Sequence, residues 1–297
     1  MEIHLIHIPV LVEEAIALMD LRPGEAVVDA TVGGGGHATK ILPQISPGGF
    51  FLGLDRDSEA VESAYEKLSS QKSKVELVVI PGNYNDLGDL IKEHGHKRVD
   101  AILFDLGLSS RQLSGRRGFS FKEDAPLDMR FDANQELTAA EIVNSYPKEE
   151  LARIIWEFGE ERASRKIADA IFTARRREKI TSTGELADIV ATAKGGRHGR
   201  IHPATQTFQA LRIAVNDELG LLTTALPRAI ACLNQGGRLA VISYHSLEDR
   251  IVKNVFRDQA RAELVKLITK KPVVPTPDEI HSNPRARSAK LRVIEKI

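Results

Sequence analysis

The segment Val27–His37 (VVDATVGGGGH) joins a buried apolar run to four consecutive glycines, and residues compatible with a helix follow. Glycines at such a junction let the backbone turn sharply and approach a ligand closely. Gly33, Gly35 and Ala38 fit the spacing G-x-G-x-x-G/A, and Asp55 ends the next apolar run about 20 residues later. This order predicts an adenosine-containing cofactor at one edge of a parallel sheet, either NAD or S-adenosylmethionine.

Short apolar runs recur through the first third of the chain and return near its C-terminus. We predict buried strands at Ala26–Ala30, Phe50–Asp55, Val75–Ile80, Val99–Asp105, Arg238–Tyr244 and Ala289–Glu295. Helical patterns separate the first four runs, as in βαβ units. The chain is therefore predicted to be an α/β protein with a doubly wound, Rossmann-like sheet.

The stretch between Asp105 and Arg238 is far longer than the dozen or so residues that a crossover requires. Apolar residues recur at helical spacing in Lys148–Phe158, and Ser182 with Glu185 has the spacing of a capping box. We expect an inserted all-helical domain in this stretch, followed by one helical segment, Gln206–Leu233, that returns to the sheet. The predicted domains are a first core segment at 1–114, the insertion at 115–205, and a second core segment at 206–297 with a basic end.

Composition limits the partners of the chain. With 41 basic and 41 acidic residues, the net charge is zero, which argues against a protein that coats nucleic acid. Basic patches at 111–122, 194–202 and 270–297 leave local contacts open. No apolar run reaches the ~20 residues of a membrane span, and one cysteine, Cys232, fits a reducing compartment. We expect a cytoplasmic protein that contacts no membrane and, because its histidines lack ligand spacing, binds no metal.

Three acidic residues favour S-adenosylmethionine over NAD. Asp29 lies in the first strand, Asp55 ends the second, and Asp105 ends the fourth. Ligands bind such sheets outside the carboxyl ends of the strands. We predict that Asp29 faces the methionine end of the cofactor and that Asp55 accepts hydrogen bonds from both ribose hydroxyls.

Motifs along nearly the whole chain resemble one family, the bacterial 16S ribosomal RNA cytosine-N4 methyltransferases. They are His7–Glu14, Asp29–His37, Asp55–Asp57, Asp105–Gln112, Arg117–Phe121, Pro126–Asp132, Gly159–Arg162, His202–Asn216, Ser243–Lys253 and Asn283–Arg292. The resemblance implies an S-adenosylmethionine methyltransferase sheet. It also implies methylation of a P-site cytidine of 16S ribosomal RNA within the small (30S) subunit.

The resemblance places cofactor contacts on seven residues: Gly35, Gly36, His37, Asp55, Tyr84, Asp105 and Gln112. Tyr84 and Tyr244 stand where the family usually has Phe, and Arg111 replaces a usual Pro. The loop 112–117 that follows is one residue shorter than is common in the family. Asp105, beside Ser109 and Ser110, is the candidate that orients the acceptor or the cofactor. His245 is a candidate substrate contact or base, with a structural role as its alternative.

Candidate RNA-binding residues come from the basic patches. Arg285, Arg287, Lys290 and Arg292 form the densest cluster, and Arg116, Arg117 and Arg130 are candidates for the same cleft. Two other functions remain open: an oxidoreductase that uses the same glycine loop for NAD, and a non-catalytic RNA-binding protein. The sequence also leaves the oligomeric state open, a dimer being one option.

Overall fold

The computed structural model of the chain describes residues 9–71, 73–108, 112, 117–196 and 202–297, and its strands lie in one sheet. The strands are β1 (Ala26–Asp29), β2 (Phe50–Asp55), β3 (Glu76–Pro81), β4 (Val99–Asp105), β5 (Leu233–Ser243), β6 (Val265–Leu267) and β7 (Lys290–Lys296). Their order is β3-β2-β1-β4-β5-β7-β6, in which β7 runs antiparallel to both of its neighbours. The pairs among β1 to β5 are parallel, which confirms the predicted doubly wound α/β sheet.

Some helices cover the two faces of the sheet, and others form a separate group. In chain order they are α1 (Val12–Met19), α2 (Ala38–Ile45), α3 (Ser58–Ser69), α4 (Leu87–Glu93), α5 (Ala139–Ser145), α6 (Lys148–Gly159), α7 (Ser164–Arg175), α8 (Thr183–Ala193), α9 (Thr205–Asn216), α10 (Glu218–Ala231), α11 (Ser246–Arg261) and α12 (Pro277–Ser282). Two 3-10 helices span Tyr84–Asp86 and Pro284–Ser288. Among the described residues, no helix is both long and apolar enough to cross a membrane.

The central strands are apolar on both faces because each face carries its own layer of helices. Successive side chains of a strand point to opposite faces, so Val28 and Leu52 join one core and Val27 and Phe51 join the other. The first core includes α4, α10 and α11, and the second includes α1, α2 and α3. Because β1, β2 and β4 are parallel neighbours in this buried sheet, their carboxyl ends lie along one edge.

The chain divides into two compact units, Met1–Ser109 with Leu219–Ile297, and Ser110–Glu218. The sheet belongs to the first unit, while α5 to α9 belong to the second. The sequence boundaries at 115 and 205 therefore lie several residues inside those of the structural unit. That the insertion folds as a domain of its own stays a prediction.

The single helical segment expected at Gln206–Leu233 is wrong, because two helices occupy it. Asp217 takes a left-handed conformation, φ 48°, that ends α9 before α10 begins. The apolar face of α9, with Phe208 and Leu211 buried, packs against α6 within the second unit. Only α10 returns to the sheet, where Leu222 and Leu226 join the core.

The strand predicted at Arg238–Tyr244 is the second part of a longer strand, β5, which begins at Leu233. Val99 pairs with Leu233 and Ala101 with Arg238, so the register shifts where the glycines lie. Gly236 has φ +79°, which an irregularity of this kind requires. The predicted helix at Lys148–Phe158 and the capping box of Ser182 with Glu185 are confirmed as α6 and the start of α8.

Asn216 holds a loop of the second unit to the end of α9. Its side chain, 1% exposed, accepts a hydrogen bond from the Phe131 amide at 2.9 Å. It also donates to the carbonyl of Met129 at 2.7 Å. Asn216→Ala would leave both backbone groups without these partners, so we expect the free energy of unfolding to fall by about 2–4 kcal/mol. Urea denaturation followed by the fluorescence of Trp156, the one tryptophan of the chain, measures this unit.

The matched control for Asn216→Ala is Asn134→Ala. Asn134 is exposed in the same unit, and removal of an exposed side chain changes stability by about 0.5 kcal/mol or less. Equal urea midpoints for the two variants would contradict the structural role assigned to Asn216.

Candidate cofactor and active site

Three carboxylates gather at the carboxyl edge of the sheet. β1 lies between β2 and β4, with Asp29 in register with Gly53 on one side and Leu103 on the other. Asp29 therefore ends the central strand, while Asp55 and Asp105 end its two neighbours. The sequence predicted this meeting of the three acids.

Asp55 connects the end of β2 to the glycine loop. Its Oδ2 accepts a hydrogen bond from the Gly33 amide at 3.0 Å, and its Oδ1 accepts one from the Asp57 amide at 2.9 Å. The Val32 amide donates to the carbonyl of Leu54 at 2.7 Å in the same region. The loop is thereby held in a fixed position beside the carboxylate.

The glycines of the loop are required by its conformation and its close packing. Gly33 and Gly35 have φ +49° and +70°, which strain other residues. A Cβ atom on Gly36 would lie 3.0 Å from the ring of Pro9. The loop consequently presents backbone, rather than side chains, at the sheet edge.

His37 links this loop to the fourth strand. Its side chain is buried, with Nε2 3.0 Å from the carbonyl oxygen of Val10 and Nδ1 3.5 Å from Oδ2 of Asp105. Because a carbonyl only accepts hydrogen bonds, Nε2 carries the proton that is donated to Val10. Nε2 is thus engaged by the Val10 carbonyl, while Nδ1 faces the Asp105 carboxylate.

Asp105 is positioned from both sides of its strand end. Its amide donates to Oγ1 of Thr31 at 2.6 Å, and its Oδ1 accepts from the Gly107 amide at 3.3 Å. A Cβ atom on Gly107 would lie 2.7 Å from the ring of Tyr244, so the turn after β4 needs glycine there. Burial, followed by the negative charge of Asp105, raises the pKa of Tyr244 well above its usual value.

The electrostatics of the edge favour a cationic ligand. Burial, reinforced by the charges of Asp105 and Asp55, raises the pKa of Asp29 to about 8. Burial also raises the pKa of Asp55 to about 6, against the hydrogen bonds from Asp57 and Gly33. A dinucleotide would bring its anionic pyrophosphate to this glycine loop, beside three acids, whereas S-adenosylmethionine carries an ammonium and a sulfonium and no phosphate. The residues present therefore fit S-adenosylmethionine and disfavour NAD.

Two more predicted residues belong to neighbouring loops of the same unit. Tyr84 follows β3 in a 3-10 helix, with its ring centroid 5.4 Å from that of Phe104. His245 caps α11: its Nδ1 accepts from the Glu248 amide at 3.4 Å, and its Nε2 lies 3.1 Å from Oε1 of Glu248. The cap on the Glu248 amide favours the structural role for His245. Its Nε2 is buried and has no hydrogen-bond partner among the described residues, and its role as a base stays a prediction.

The basic cluster near the C-terminus is partly neutralised. Asp249 pairs with Nζ of Lys290 at 3.1 Å and with Nε of Arg292 at 2.7 Å. The two ion pairs join α11 to β7, so these two cations serve the fold. Arg285 and Arg287 lie exposed on the 3-10 helix before β7 and remain candidates for RNA contact.

The remaining candidates lie in the second unit or outside the described residues. Arg117 donates to the carbonyl of Phe131 at 3.1 Å, and Arg130 pairs with Asp128 at 2.7 Å, all within the second unit. Gln112 also belongs to that unit, and its cofactor contact stays a prediction. Four residues named from the sequence lie outside the described ranges: Ser109, Ser110, Arg111 and Arg116.

Sequence reasoning missed three contributors to the site. Thr31 fixes the start of the turn at Asp105, but its partner is on another strand, and no local spacing signals such a contact. Tyr244 was noted only as a replacement of Phe, and its packing on Gly107 depends on the neighbouring strands β4 and β5. Asp57 could have been found, because its side chain caps α3 through the Glu59 amide, a common role for Asp at this position.

The fold and the site together define a Rossmann-like, S-adenosylmethionine-dependent methyltransferase. The features that define it are the antiparallel β7, the glycine loop after β1, and the acids that end β1, β2 and β4. The MraW methylase family matches residues 4–297, and the chain belongs to this family. The resemblance read from its motifs is thereby confirmed.

Curated relatives match the chain over nearly all of its length. The ribosomal RNA small subunit methyltransferase H of Dehalococcoides mccartyi is 49% identical and aligns with 98% of this chain and 86% of its own. The proteins of the same name from Persephonella marina and Heliobacterium mobile are 47% and 46% identical. Their alignments cover 98% and 100% of this chain, and 99% and 100% of the relatives.

The raised pKa values predict how cofactor binding depends on pH. An ionised carboxylate binds ammonium groups and hydroxyls better than a protonated one does. Asp55 and Asp29 ionise with pKa values of about 6 and about 8, while the α-amino group of the ligand loses its proton only near pH ~8. We therefore expect the Kd for S-adenosylmethionine to fall as pH rises from about 5 to 7. Isothermal titration at several pH values measures the change, which approaches tenfold per pH unit for each proton released.

Asp29→Asn should weaken binding near pH 8, where about half of Asp29 is ionised. Asp258→Asn, an exposed change on α11, is the matched control and should bind as the original protein does. A Kd that is constant across this pH range in the original protein would contradict the assigned pKa values.

The raised pKa of Asp29 also predicts that the cofactor-free protein becomes less stable as pH rises. Asp29 is ionised above pH ~4 in the unfolded chain but only above about 8 in the folded one. The unfolded state therefore binds fewer protons between these values, so the free energy of unfolding falls as pH rises from about 4 to 8. Urea denaturation should show a weaker slope in Asp29→Asn, and equal slopes in the two proteins would refute the prediction.

Proposed function

We propose that the protein transfers the methyl group of S-adenosylmethionine to the exocyclic N4 of a decoding-centre P-site cytidine in 16S ribosomal RNA. The observation that carries this proposal is the edge formed by Asp29, Asp55 and Asp105 beside the glycine loop. The relatives named as ribosomal RNA small subunit methyltransferases, which align along the whole chain, support the substrate class.

The proposed cofactor contacts are those that the motifs of the chain indicate. The backbone of Gly35, Gly36 and His37 would bind the methionine end, facing Asp29. Asp55 would accept hydrogen bonds from the ribose hydroxyls, since each of its oxygens has a lone pair beyond the bond from Gly33 or Asp57. Tyr84 would lie beside the adenine, and Gln112 is the contact proposed from the second unit.

Bound S-adenosylmethionine supplies an electrophilic methyl group, so the protein must align the acceptor and remove a proton from it. Methylation at cytosine C5 normally needs a thiolate. The carbonyl of Cys232 accepts from the amide of Val99, at the start of β4. Asp105 ends that strand, roughly 20 Å away at about 3.3 Å per residue. Chemistry at the exocyclic amine, which needs no covalent intermediate, is the reaction that these residues favour.

Asp105 is the group that we assign to the acceptor amine. Its carboxylate is held by the Gly107 amide and faces His37, so it is oriented before substrate arrives. A carboxylate in this position would accept a hydrogen bond from the amine and so direct its lone pair. His245 is retained as an alternative contact.

The proposed substrate is the assembled small subunit. The target base must be unstacked to reach the sheet edge, and Arg117, Arg285 and Arg287 are the proposed phosphate contacts. Lys290 is a weaker candidate because Asp249 already pairs with it. This substrate places the protein in the cytoplasm, and a dimer is a possible assembly.

Small subunits that lack the modification, incubated with methyl-labelled S-adenosylmethionine, test the reaction. Nucleoside analysis should find the label on N4 of one cytidine in 16S ribosomal RNA. Label on C5 or on ribose would refute the stated reaction. Binding of NAD without binding of S-adenosylmethionine would refute the methyltransferase assignment as a whole.

Asp105→Asn tests the role given to the carboxylate. The amide keeps the shape but loses the negative charge that strengthens the hydrogen bond from the acceptor amine, so we expect kcat to fall by about tenfold or more, with the Kd for S-adenosylmethionine changed by less than about tenfold. Stopped assays on small subunits and isothermal titration give the two values. Asp258→Asn is the control, and a kcat equal to that of the control would remove Asp105 from the active site.

A further inference from the structure

A groove of about 830 Å³ runs along α6 and α7, within the second unit. Its α6 side is a stripe formed by Lys148, Ala152 and Trp156, which recur every four residues and therefore share one face of the helix. Its α7 side includes Arg165 and Asp169, with Arg162 in the preceding turn. Sites for small ligands occupy roughly 300–1,000 Å³, so the groove has room for a nucleotide.

Trp156 is the unusual member of this groove. It is the one tryptophan of the chain, and 56% of it is exposed. Its neighbours Ile154 and Ile155 are buried in the core of the unit, so the helix places the indole outward by its register. Ala152, one turn earlier, leaves the indole uncovered on that side.

The charges around the indole leave two arginines available. Lys148 pairs with Asp169 at 2.9 Å, and Arg153 forms ion pairs with Glu150 and Glu157. Arg162 and Arg165 are exposed and have no acidic partner among the described residues. The acids near the groove, apart from Glu149, are thus engaged, while two guanidinium groups are not.

We infer that this groove binds an unpaired nucleotide segment of the RNA substrate, with one base stacked on Trp156 and phosphates bound by Arg162 and Arg165. Single-stranded nucleic acid is held in this way, by an aromatic face for the base and cations for the backbone. Arginine suits the task because its planar group donates two parallel hydrogen bonds to phosphate. The inference rests on the proposed RNA substrate and adds a contact within the second unit.

Fluorescence of Trp156 reports directly on the groove because the chain has no second tryptophan. Titration of the full chain with an unstructured oligoribonucleotide, such as oligo(C), should quench this fluorescence at low salt. A double-stranded RNA of equal length, whose bases are already stacked, should quench it far less. If fluorescence anisotropy shows that labelled oligo(C) binds while Trp156 is not quenched, the stacking is refuted.

Variants separate the base contact from the phosphate contacts. Trp156→Ala should weaken binding of labelled oligo(C) by about 5- to 100-fold, whereas Trp156→Phe should retain part of it. The double variant Arg162→Ala with Arg165→Ala should reduce the slope of log K against log salt by about 1.4, for two phosphate contacts on a single strand. The matched control is Arg257→Ala with Arg261→Ala, which removes two exposed charges from α11.

Assays on small subunits connect the groove to the reaction. Trp156→Ala should raise the KM for small subunits, with kcat and the Kd for S-adenosylmethionine unchanged. An unchanged KM would refute the inference, even if the original protein methylates the subunits and so confirms the proposed function. A raised KM with unchanged binding of oligo(C) and protein-free ribosomal RNA would instead assign the groove to a ribosomal protein, and would equally overturn the inference.

Failure of the proposed function gives a different pattern. In that case the original protein transfers no methyl group to small subunits, whatever the state of Trp156. Quenching by oligo(C) and the altered salt slope still decide whether the groove binds RNA.

Discussion

Two backbone amides, from Gly33 and Asp57, meet on the carboxylate of Asp55. This arrangement joins the end of β2 to the glycine loop that follows β1 and to the start of α3. Because the loop contains residues with positive φ, it needs such an anchor to keep one conformation. The Asp105 amide donates to Thr31, just before this loop, and the His37 ring faces the Asp105 carboxylate. Contacts between side chains and backbone therefore join the ends of three adjacent strands.

The same edge is electrostatically unfavourable without its ligand. Asp29 is 1% exposed, and the other two acids lie on the neighbouring strands. A buried carboxylate avoids the cost of desolvation by keeping its proton, which explains why the pKa of Asp29 rises to about 8. A positively charged ligand offsets this cost. The buried acids therefore lower the stability of the cofactor-free protein and raise its affinity for such a ligand. Such a site selects by charge as well as by shape.

The sequence predicted the sheet and its acidic edge well, because strands buried on both faces are continuously apolar and their last residues necessarily meet. It did not predict that α9 belongs to the helical unit. Both α9 and α10 are amphipathic, and only the left-handed Asp217 and the packing against α6 separate them. Thr31 and Tyr244 were missed for a related reason, since their partners are distant in the chain. Local patterns specify elements, whereas contacts between elements depend on the assembled fold.

The basic residues show why charges counted along a sequence do not give the cations that are available to a ligand. The densest cluster contains Lys290 and Arg292, yet Asp249, about 40 residues earlier in the chain, engages both. In the sequence of α6 and α7, acidic and basic residues are nearly equal in number. Ion pairs engage most of these acids, and Arg162 and Arg165 line the same groove as Trp156. What matters for binding a phosphate is the charge that remains after internal pairing. A chain of zero net charge can therefore still present cations where RNA would contact it.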